Sequence, residues 1–401
     1  MSWTPKRLDE LGSVSRGRSR HRPRDAAHLY GGPHPFIQTG DVKHAGLYIT
    51  GFSQTYTEAG LQQSKLWPAG TLCITIAANI ADTAILGIDA CFPDSVIGFI
   101  ADSTQSDARF VKYLFDATIK VRAQQFSQGA TQDNLSQEKL LSLDFDVPPA
   151  AEQTRIADVL STYDDLIENN LRRIALLEES ARLLYREWFV RLRFPGYEHT
   201  PIVDGVPQGW DRKLIADFFD TSSGGTPSRT NPEFYDGDIN WVKTQELDDG
   251  FIFETMEKIT ETAVKKSSAK LFPANTVLVS IYGGKNIGRT GILVNPSTTN
   301  QACCALLPLD ERAHYIFTAL YFREQREKLI SLSQGAAQTN ISQQVVRALP
   351  ITLPSRALMT TFVETLLPVF EQTKLLQLQN QKLRTARDLL LPRLMSGELA
   401  V

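Results

Sequence analysis

Ser127-Gln128-Gly129-Ala130-Thr131-Gln132-Asp133-Asn134-Leu135-Ser136-Gln137 has a second copy in the same chain. It recurs 206 residues later as Ser333-Gln334-Gly335-Ala336-Ala337-Gln338-Thr339-Asn340-Ile341-Ser342-Gln343, with eight of eleven positions identical and no gap. Each copy leads through a short apolar segment to a proline (Pro148-Pro149, Pro354) and then into a long amphipathic run, Ala151 to Leu192 and onward from Ser355 to Leu391. Constant spacing with diverged side chains is the mark of a duplicated unit.

Upstream of each copy the correspondence continues. Phe36-Ile37-Gln38-Thr39 matches Trp241-Val242-Lys243-Thr244, and Ser64-Lys65-Leu66-Trp67-Pro68-Ala69 matches Ala269-Lys270-Leu271-Phe272-Pro273-Ala274, both at an offset of 205. Asn79 to Leu86 matches Asn286 to Leu293 at 207, so a two-residue insertion falls at Tyr282-Gly283-Gly284-Lys285. Pro35 to Val42 reads as a strand with a turn and the Leu72 to Ala77 and Asp94 to Ala101 segments as strands, whereas Phe110, Val111, Leu114 and Phe115 follow a helical period.

In the first long run the seam alternates four and three apart: Ile156, Leu160, Tyr163, Ile167, Asn170, Ile174, Leu177, Ala181, Leu184, Trp188. That is the spacing of a coiled coil. The second run offers Phe362, Leu366, Val369, Thr373, Leu376, Asn380, Leu383, Arg387 and Leu390, weakened by Thr373 and Arg387. Each seam holds one asparagine. Antiparallel pairing with Asn170 opposite Asn380 makes facing residue numbers sum to 550, and a slipped register strands amides at about 1–3 kcal/mol each. Pro368 removes a hydrogen bond inside the second helix, and whether the helix breaks there is open.

Composition is that of an ordinary globular protein, 401 residues with 42% hydrophobic and 22% charged, a length that favours two domains or more. The first residues lack a signal-peptide core and no run of 18 apolar residues occurs, so the expectation is a cytoplasmic protein without membrane contact. Cys73, Cys91, Cys303 and Cys304 have no metal or disulfide spacing, and the six histidines no ligand spacing. Walker, dinucleotide, zinc-protease and nucleophile-elbow frames are absent, as is an amino-methyltransferase motif, so no catalytic residue is assigned.

The net charge of −3 is low for a free-standing nucleic-acid binder, but the basic residues are local. In Arg16-Gly17-Arg18-Ser19-Arg20-His21-Arg22-Pro23-Arg24 every even position is arginine. An extended conformation projects all five to one side, either as a solvated basic loop or as a phosphate contact. Ser222-Ser223-Gly224-Gly225-Thr226-Pro227-Ser228-Arg229 is either a plain turn or a donor-rich loop suited to phosphates and base edges. Tyr282, Lys285, Asn286 and Arg289 combine an aromatic, two cations and an amide that can read bases. The candidate contacts are therefore Arg16, Arg18, Arg20, Arg22, Gln38, Thr39, Asn79, Ser223, Gly224, Gly225, Thr226, Ser228, Arg229, Lys243, Thr244, Tyr282, Lys285, Asn286 and Arg289. Asn134 with Gln137 and Asn340 with Gln343 fit either helix capping boxes or base contact.

With these segments in order, the chain resembles the specificity subunit of a Type I restriction–modification system over essentially its whole length. The resemblance rests on the paired Ser-Gln-Gly-Ala segments, on Ala151-Glu152-Gln153-Thr154-Arg155-Ile156, on Glu187 to Gly196, and on Leu390-Leu391-Pro392-Arg393-Leu394-Met395-Ser396-Gly397-Glu398-Leu399. It implies an α+β fold: two β-rich target-recognition domains in pseudo-two-fold repeat, separated by two long antiparallel coiled-coil helices. The divisions expected are 1–150, first recognition domain; 151–194, central helix; 195–209, linker; 210–354, second recognition domain; and 355–401, C-terminal helix. A helix of this length spans roughly 60 Å, well over one DNA turn of ~34 Å.

The resemblance further implies a non-catalytic subunit that reads a bipartite double-stranded DNA site. It would dock two adenine-N6 methyltransferase subunits and restriction/translocase subunits. S-adenosylmethionine, ATP and Mg would belong to those partners and no cofactor to this chain. The second helix begins Ser355-Arg356-Ala357-Leu358, without the Ala-Glu-Gln of 151–153, which leaves equal docking on both helices open. The alternative is a duplicated-domain protein scaffold that reads no sequence.

Overall fold

A computed structural model of the chain describes residues 3–77, 80–127, 136–334 and 340–401. Its residues cluster into two compact units, Met1–Asn169 with Asn380–Val401, and Asn170–Gln379.

In the first unit the strands β1 (Gly12–Arg16), β2 (Tyr48–Ile49), β3 (Leu72–Thr75), β4 (Thr83–Leu86) and β5 (Val96–Ala101) form a sheet of order β1-β5-β3-β4-β2. All four residues of β3 are buried, because both faces are covered. Leu72 and Ile74 pack with Phe110, Val111, Leu114 and Phe115 of helix α1 (Ala108–Ser127), while Cys73 faces a second cluster with Trp67 and Phe92. Strand alternation thus sorts one run of apolar residues into two cores. Helix α2 (Ala150–Tyr185) follows and ends in a π-helical turn over Arg186–Val190.

The second unit repeats the plan. Strands β6 (Phe219–Ser223), β7 (Tyr235–Val242), β8 (Phe251–Ile252), β9 (Val277–Ser280), β10 (Thr290–Leu293), β11 (Ser297–Thr299) and β12 (Cys303–Pro308) are followed by α3 (Tyr315–Glu324), α4 (Arg326–Gln334) and α5 (Arg356–Met395). The sheet order β6-β12-β9-β10-β8 is that of the first unit, with the same parallel edge strand. β7 and β11 pair in parallel in a second sheet, and the same place in the first unit holds only a Phe36–Cys91 bridge. Val277 and Val279 face the helices while Leu278 faces the other core, as Leu72, Ile74 and Cys73 do.

Both long helices contribute to both units. In the first, Ile156 and Leu160 of α2 share a core with Leu390 and Leu394 of α5; in the second, Ala181 and Leu184 share one with Phe362 and Leu366. The start of one helix therefore meets the end of the other. In the first unit Asn380 Nδ2 donates to Ile167 O at 3.4 Å, and Arg387 pairs with Asp164. Arg387, which weakens the seam on paper, is thus neutralised by Asp164, whose other oxygen accepts the Tyr113 hydroxyl at 2.5 Å.

One open question is decided and two expectations are corrected. Helix α5 runs through Pro368 without a break. Leu366 and Phe370 are buried on either side of it, and their packing outweighs a proline cost of about 3 kcal/mol. Thr39–His44 is helical, not strand, because the Asp41 carboxylate accepts the Gln38 backbone N–H at 2.8 Å and starts a turn. The short helices Gln137–Leu141 and Gln343–Arg347 are capped by Ser136 and Ser342, whose hydroxyls accept from Lys139 N and Val345 N. The capping asparagines were misassigned by two residues. Asn134 itself lies outside the described residues. Among the described residues no helix is long and apolar enough to cross a membrane.

Candidate nucleic-acid interface

Antiparallel neighbours end together, so the C-termini of β6 and β9 and the N-termini of β10 and β12 meet at one end of the second sheet: Ser223 pairs with Cys304 and Ser280 with Cys303. Two of the candidate loops leave from that end. The first begins Gly224-Gly225. A Cβ on Gly224 would sit 2.0 Å from the Thr299 carbonyl oxygen and one on Gly225 2.1 Å from Ser268 Oγ, so glycine is needed for close approach. The Gly225 carbonyl accepts Trp241 Nε1 at 3.1 Å, and Thr226 Oγ1 donates to Gln301 Oε1 at 2.6 Å. Ser228 Oγ lies 2.8 Å from Thr230 Oγ1.

Arg229 lies 4.4 Å over the Tyr235 ring and pairs with Glu257 at 2.7 Å. Glu257 also pairs with Lys243, whose backbone N–H is accepted by Glu246 at 2.7 Å to start the turn Thr244–Glu246. The hydrogen bond from Lys243, aided by Arg229, holds the Glu257 carboxyl below the usual glutamate range despite partial desolvation. Lys243 and Arg229 therefore share one carboxylate, which offsets one of their two charges.

The second loop runs from Tyr282 to Arg289. Gly283 and Gly288 take φ of +96° and +76°, values that L side chains disfavour. Ile281 N donates to Ala302 O at 3.0 Å, so the loop stands beside the 300–302 turn that also holds Thr226. Tyr282 is exposed, Asn286 and Arg289 are half-buried, and Lys285 lies in the turn Gly284–Asn286, its side chain outside the described residues. The repeated segment fixes both loops at their bases. Asn340 Oδ1 accepts Gly283 N at 3.1 Å, and Gln343 Nε2 donates to Thr221 O and Oγ1 at 2.5 and 2.7 Å.

In the first unit the arginine run occupies the place of the first loop. A Cβ on Gly17 would lie 2.4 Å from the Phe92 carbonyl, as one on Gly224 meets Thr299. Tyr30 and Tyr235 hydroxyls close the two loops by donating to Arg24 O and Pro227 O at 2.8 and 2.7 Å. Two stretches that look unrelated in sequence are thus one loop of the repeat.

The run is not an extended ribbon with its arginines on one side. Arg16 ends β1 and donates to the Asp94 carbonyl at 3.0 and 2.8 Å, Arg24 pairs with the Asp94 carboxylate at 2.9 Å, and Arg22 folds onto Ser19 O and His21 O. Binding both ends to Asp94 curls the segment. Arg18 and Arg20 remain exposed. Gln38 donates through Nε2 to Gln54 Oε1 at 2.5 Å, and Thr39 opens its helix as Thr244 does. Asn79 lies outside the described residues.

Asp94, Glu257 and Gln301 order these loops, and reading by residue type overlooks them. Asp94 and Gln301 share no motif; their signal was their common offset of 207 from each other. Among the described residues no group of three or more His, Cys, Asp or Glu side chains could hold a metal ion.

Residues 1–179 and 207–385 each match the Type I restriction modification DNA specificity domain. The chain belongs to that family. It is 25% identical over 414 residues to the Type I restriction enzyme MjaIX specificity subunit of Methanocaldococcus jannaschii, spanning 100% of this chain and 94% of that one. It is 25% identical over 335 residues to the HindI specificity subunit of Haemophilus influenzae, 68% of this chain and 72% of the other. The crystal structure of a Type I system S subunit from M. genitalium shares the fold, with TM-score 0.62 at 15% identity over 98% of this chain and 96% of that one. The specificity subunit described here therefore carries its specificity domain twice, and both copies present loops built on one plan.

Proposed function

We propose that this specificity subunit reads a bipartite double-stranded DNA site, one half with each unit, and performs no chemistry itself. The observation that carries the reading is the repetition of the same loops at the same end of the same sheet, with different side chains on each copy. Shared scaffolding with divergent loops is what reading two different half-sites requires. Arg18 and Arg20 in one unit, and Tyr282, Asn286, Lys285 and Arg289 in the other, are the groups assigned to DNA. Ser223, Gly224, Gly225, Thr226, Ser228, Gln38 and Thr39 shape the loops that hold them. Lys243 and Arg229 can reach phosphate where it displaces them from Glu257.

Within each unit the two long helices, α2 and α5, pair as antiparallel stretches of a coiled coil. In the first unit the Ile167–Asn380 and Asp164–Arg387 contacts support that antiparallel pairing. The same helices dock two methyltransferase subunits and admit restriction/translocase subunits, which supply S-adenosylmethionine, ATP and Mg sites. The test is methylation of bipartite duplexes by the chain with its methylating partner. Activity should require both half-sites and their spacing, and the purified chain alone should transfer no methyl group. Methylation indifferent to sequence would favour a scaffold.

A further inference from the structure

We propose that the Tyr282–Arg289 loop is held in its reading geometry by a clamp from its own unit's helix, with Arg326 as the positioning residue. Lys120 performs the same task at Asp82 in the first unit. The inference rests on the reading of these loops as the parts that meet bases.

The strand ladder closes the base of the loop: Gly288 N donates to Ser280 O, and Ser280 N to Arg289 O, both at 2.9 Å. The Gly288 carbonyl lies outside that closure. Arg326 supplies its partners, Nε at 3.2 Å and Nη2 at 3.3 Å. The same guanidinium pairs with the Asp249 carboxylate, whose Oδ1 accepts Thr290 N at 2.9 Å and Thr290 Oγ1 at 3.0 Å. The residues on both sides of Arg289 are thereby tied to one cation–carboxylate pair. A guanidinium suits this task, since its planar fork serves a carbonyl and a carboxylate together. The seat is also shaped for it: a Cβ on Gly288 would lie 3.2 Å from Arg326 Cγ.

The first unit reaches the same end with other residues. Ala81 stands where Gly288 does, at φ +67°, and the same pair of backbone bonds links Thr75 with Ala81 and Asp82 at 2.9 and 3.0 Å. Here the carboxylate is on the loop and the cation on the helix: Lys120 Nζ meets Asp82 Oδ1 at 2.9 Å. Thr83, the counterpart of Thr290, donates to Asp116 Oδ1 at 2.8 Å, and Lys112 holds Asp116 at 2.6 Å. A helix cation thus holds the left-handed residue itself in the second unit and the residue after it in the first, and in both the first threonine of the next strand donates to a carboxylate. In both units the cation is on a helix, but the carboxylates come from non-corresponding places, Asp249 in one and Asp82 with Asp116 in the other, which argues for selection on loop position rather than on one inherited ion pair.

The experiment uses the full chain assembled with its methylating partner and bipartite duplexes carrying single base changes in either half. The readout is the ratio of methylation rates on cognate and altered duplexes. Arg326→Ala should lower discrimination in one half by roughly tenfold, the scale of one base contact, and leave the other half unchanged. Lys120→Ala should do the reverse. If Arg326→Ala does not fold, Arg326→Lys decides, since it keeps a charge beside Asp249 but lacks the fork for Gly288. Tyr282→Ala serves as the control for the loop's role. Full discrimination in Arg326 variants, with loss in Tyr282→Ala, overturns the clamp and leaves the reading intact. No effect of Tyr282→Ala either overturns the reading, and the clamp falls with it. An equal loss in both halves marks Arg326 as a general stabiliser and also overturns the proposal.

Discussion

Asp164→Asn removes one charge from α2 and leaves the shape of the side chain. The carboxylate keeps 8% of its surface exposed and its partner Arg387 25%, so water screens the pair only in part. At a charge separation of about 4 Å and an effective dielectric near 20, the attraction is about 4 kcal/mol. Desolvation of both groups opposes it, and a quarter-exposed guanidinium recovers some hydration when abandoned, so a net coupling of about 2 kcal/mol is expected. The Tyr113 hydroxyl is pushed far above its ordinary pKa, mainly by burial, and remains a donor that an asparagine oxygen can still accept. The substitution therefore isolates the ion pair. Hydrogen–deuterium exchange on α1 and the first half of α2 reports the local opening free energy. Asp164→Asn should lower it by about 2 kcal/mol in the natural background and by less than about 0.5 kcal/mol beside Arg387→Met. Additive effects of the two substitutions would refute the assignment of Asp164–Arg387 as a stabilising contact between the helices.

The four buried cysteines should resist alkylation in the native chain at pH 8, because burial pushes Cys304 to about 12 and the others upward; labelling before unfolding would contradict their placement. Glu257 should titrate below its ordinary 4.5, so its contribution is complete above that value and is lost as pH falls through the depressed folded value. Carboxyl NMR gives the midpoint, which Lys243→Met should raise. Gly224→Ala should cost about 1–3 kcal/mol in thermal melting because the new methyl meets a backbone carbonyl. Gly51→Ala, which meets nothing within 4 Å, is the matched control and should be nearly neutral. Ser342→Ala should cost about 1 kcal/mol through its lost cap.

The linear pattern was enough to show a duplicated chain, since identical spacing survives where side chains diverge. It also marked the seam positions of both helices, all of which are buried or half-buried, because a period of three and four residues is a local property of the helix. Asn79 and the side chain of Lys285 stay outside the described residues, and the other candidate side chains fall on strand ends, helix starts and loops whose shape the sequence did not convey.

Only tertiary structure decided what those loops are. It made the arginine run and the serine–glycine loop one element, by bringing Gly17 and Gly224 against equivalent backbone carbonyls. It turned Arg16 onto the Asp94 carbonyl, Arg24 onto the Asp94 carboxylate, and Lys243 and Arg229 onto Glu257, so that part of the basic charge is already offset. It also carried α5 through Pro368, where a local rule left a break open, because apolar burial on both sides outweighs one lost hydrogen bond. Periodicity and spacing follow from the covalent chain, whereas the partner of a charge follows from which distant segments the cores bring together.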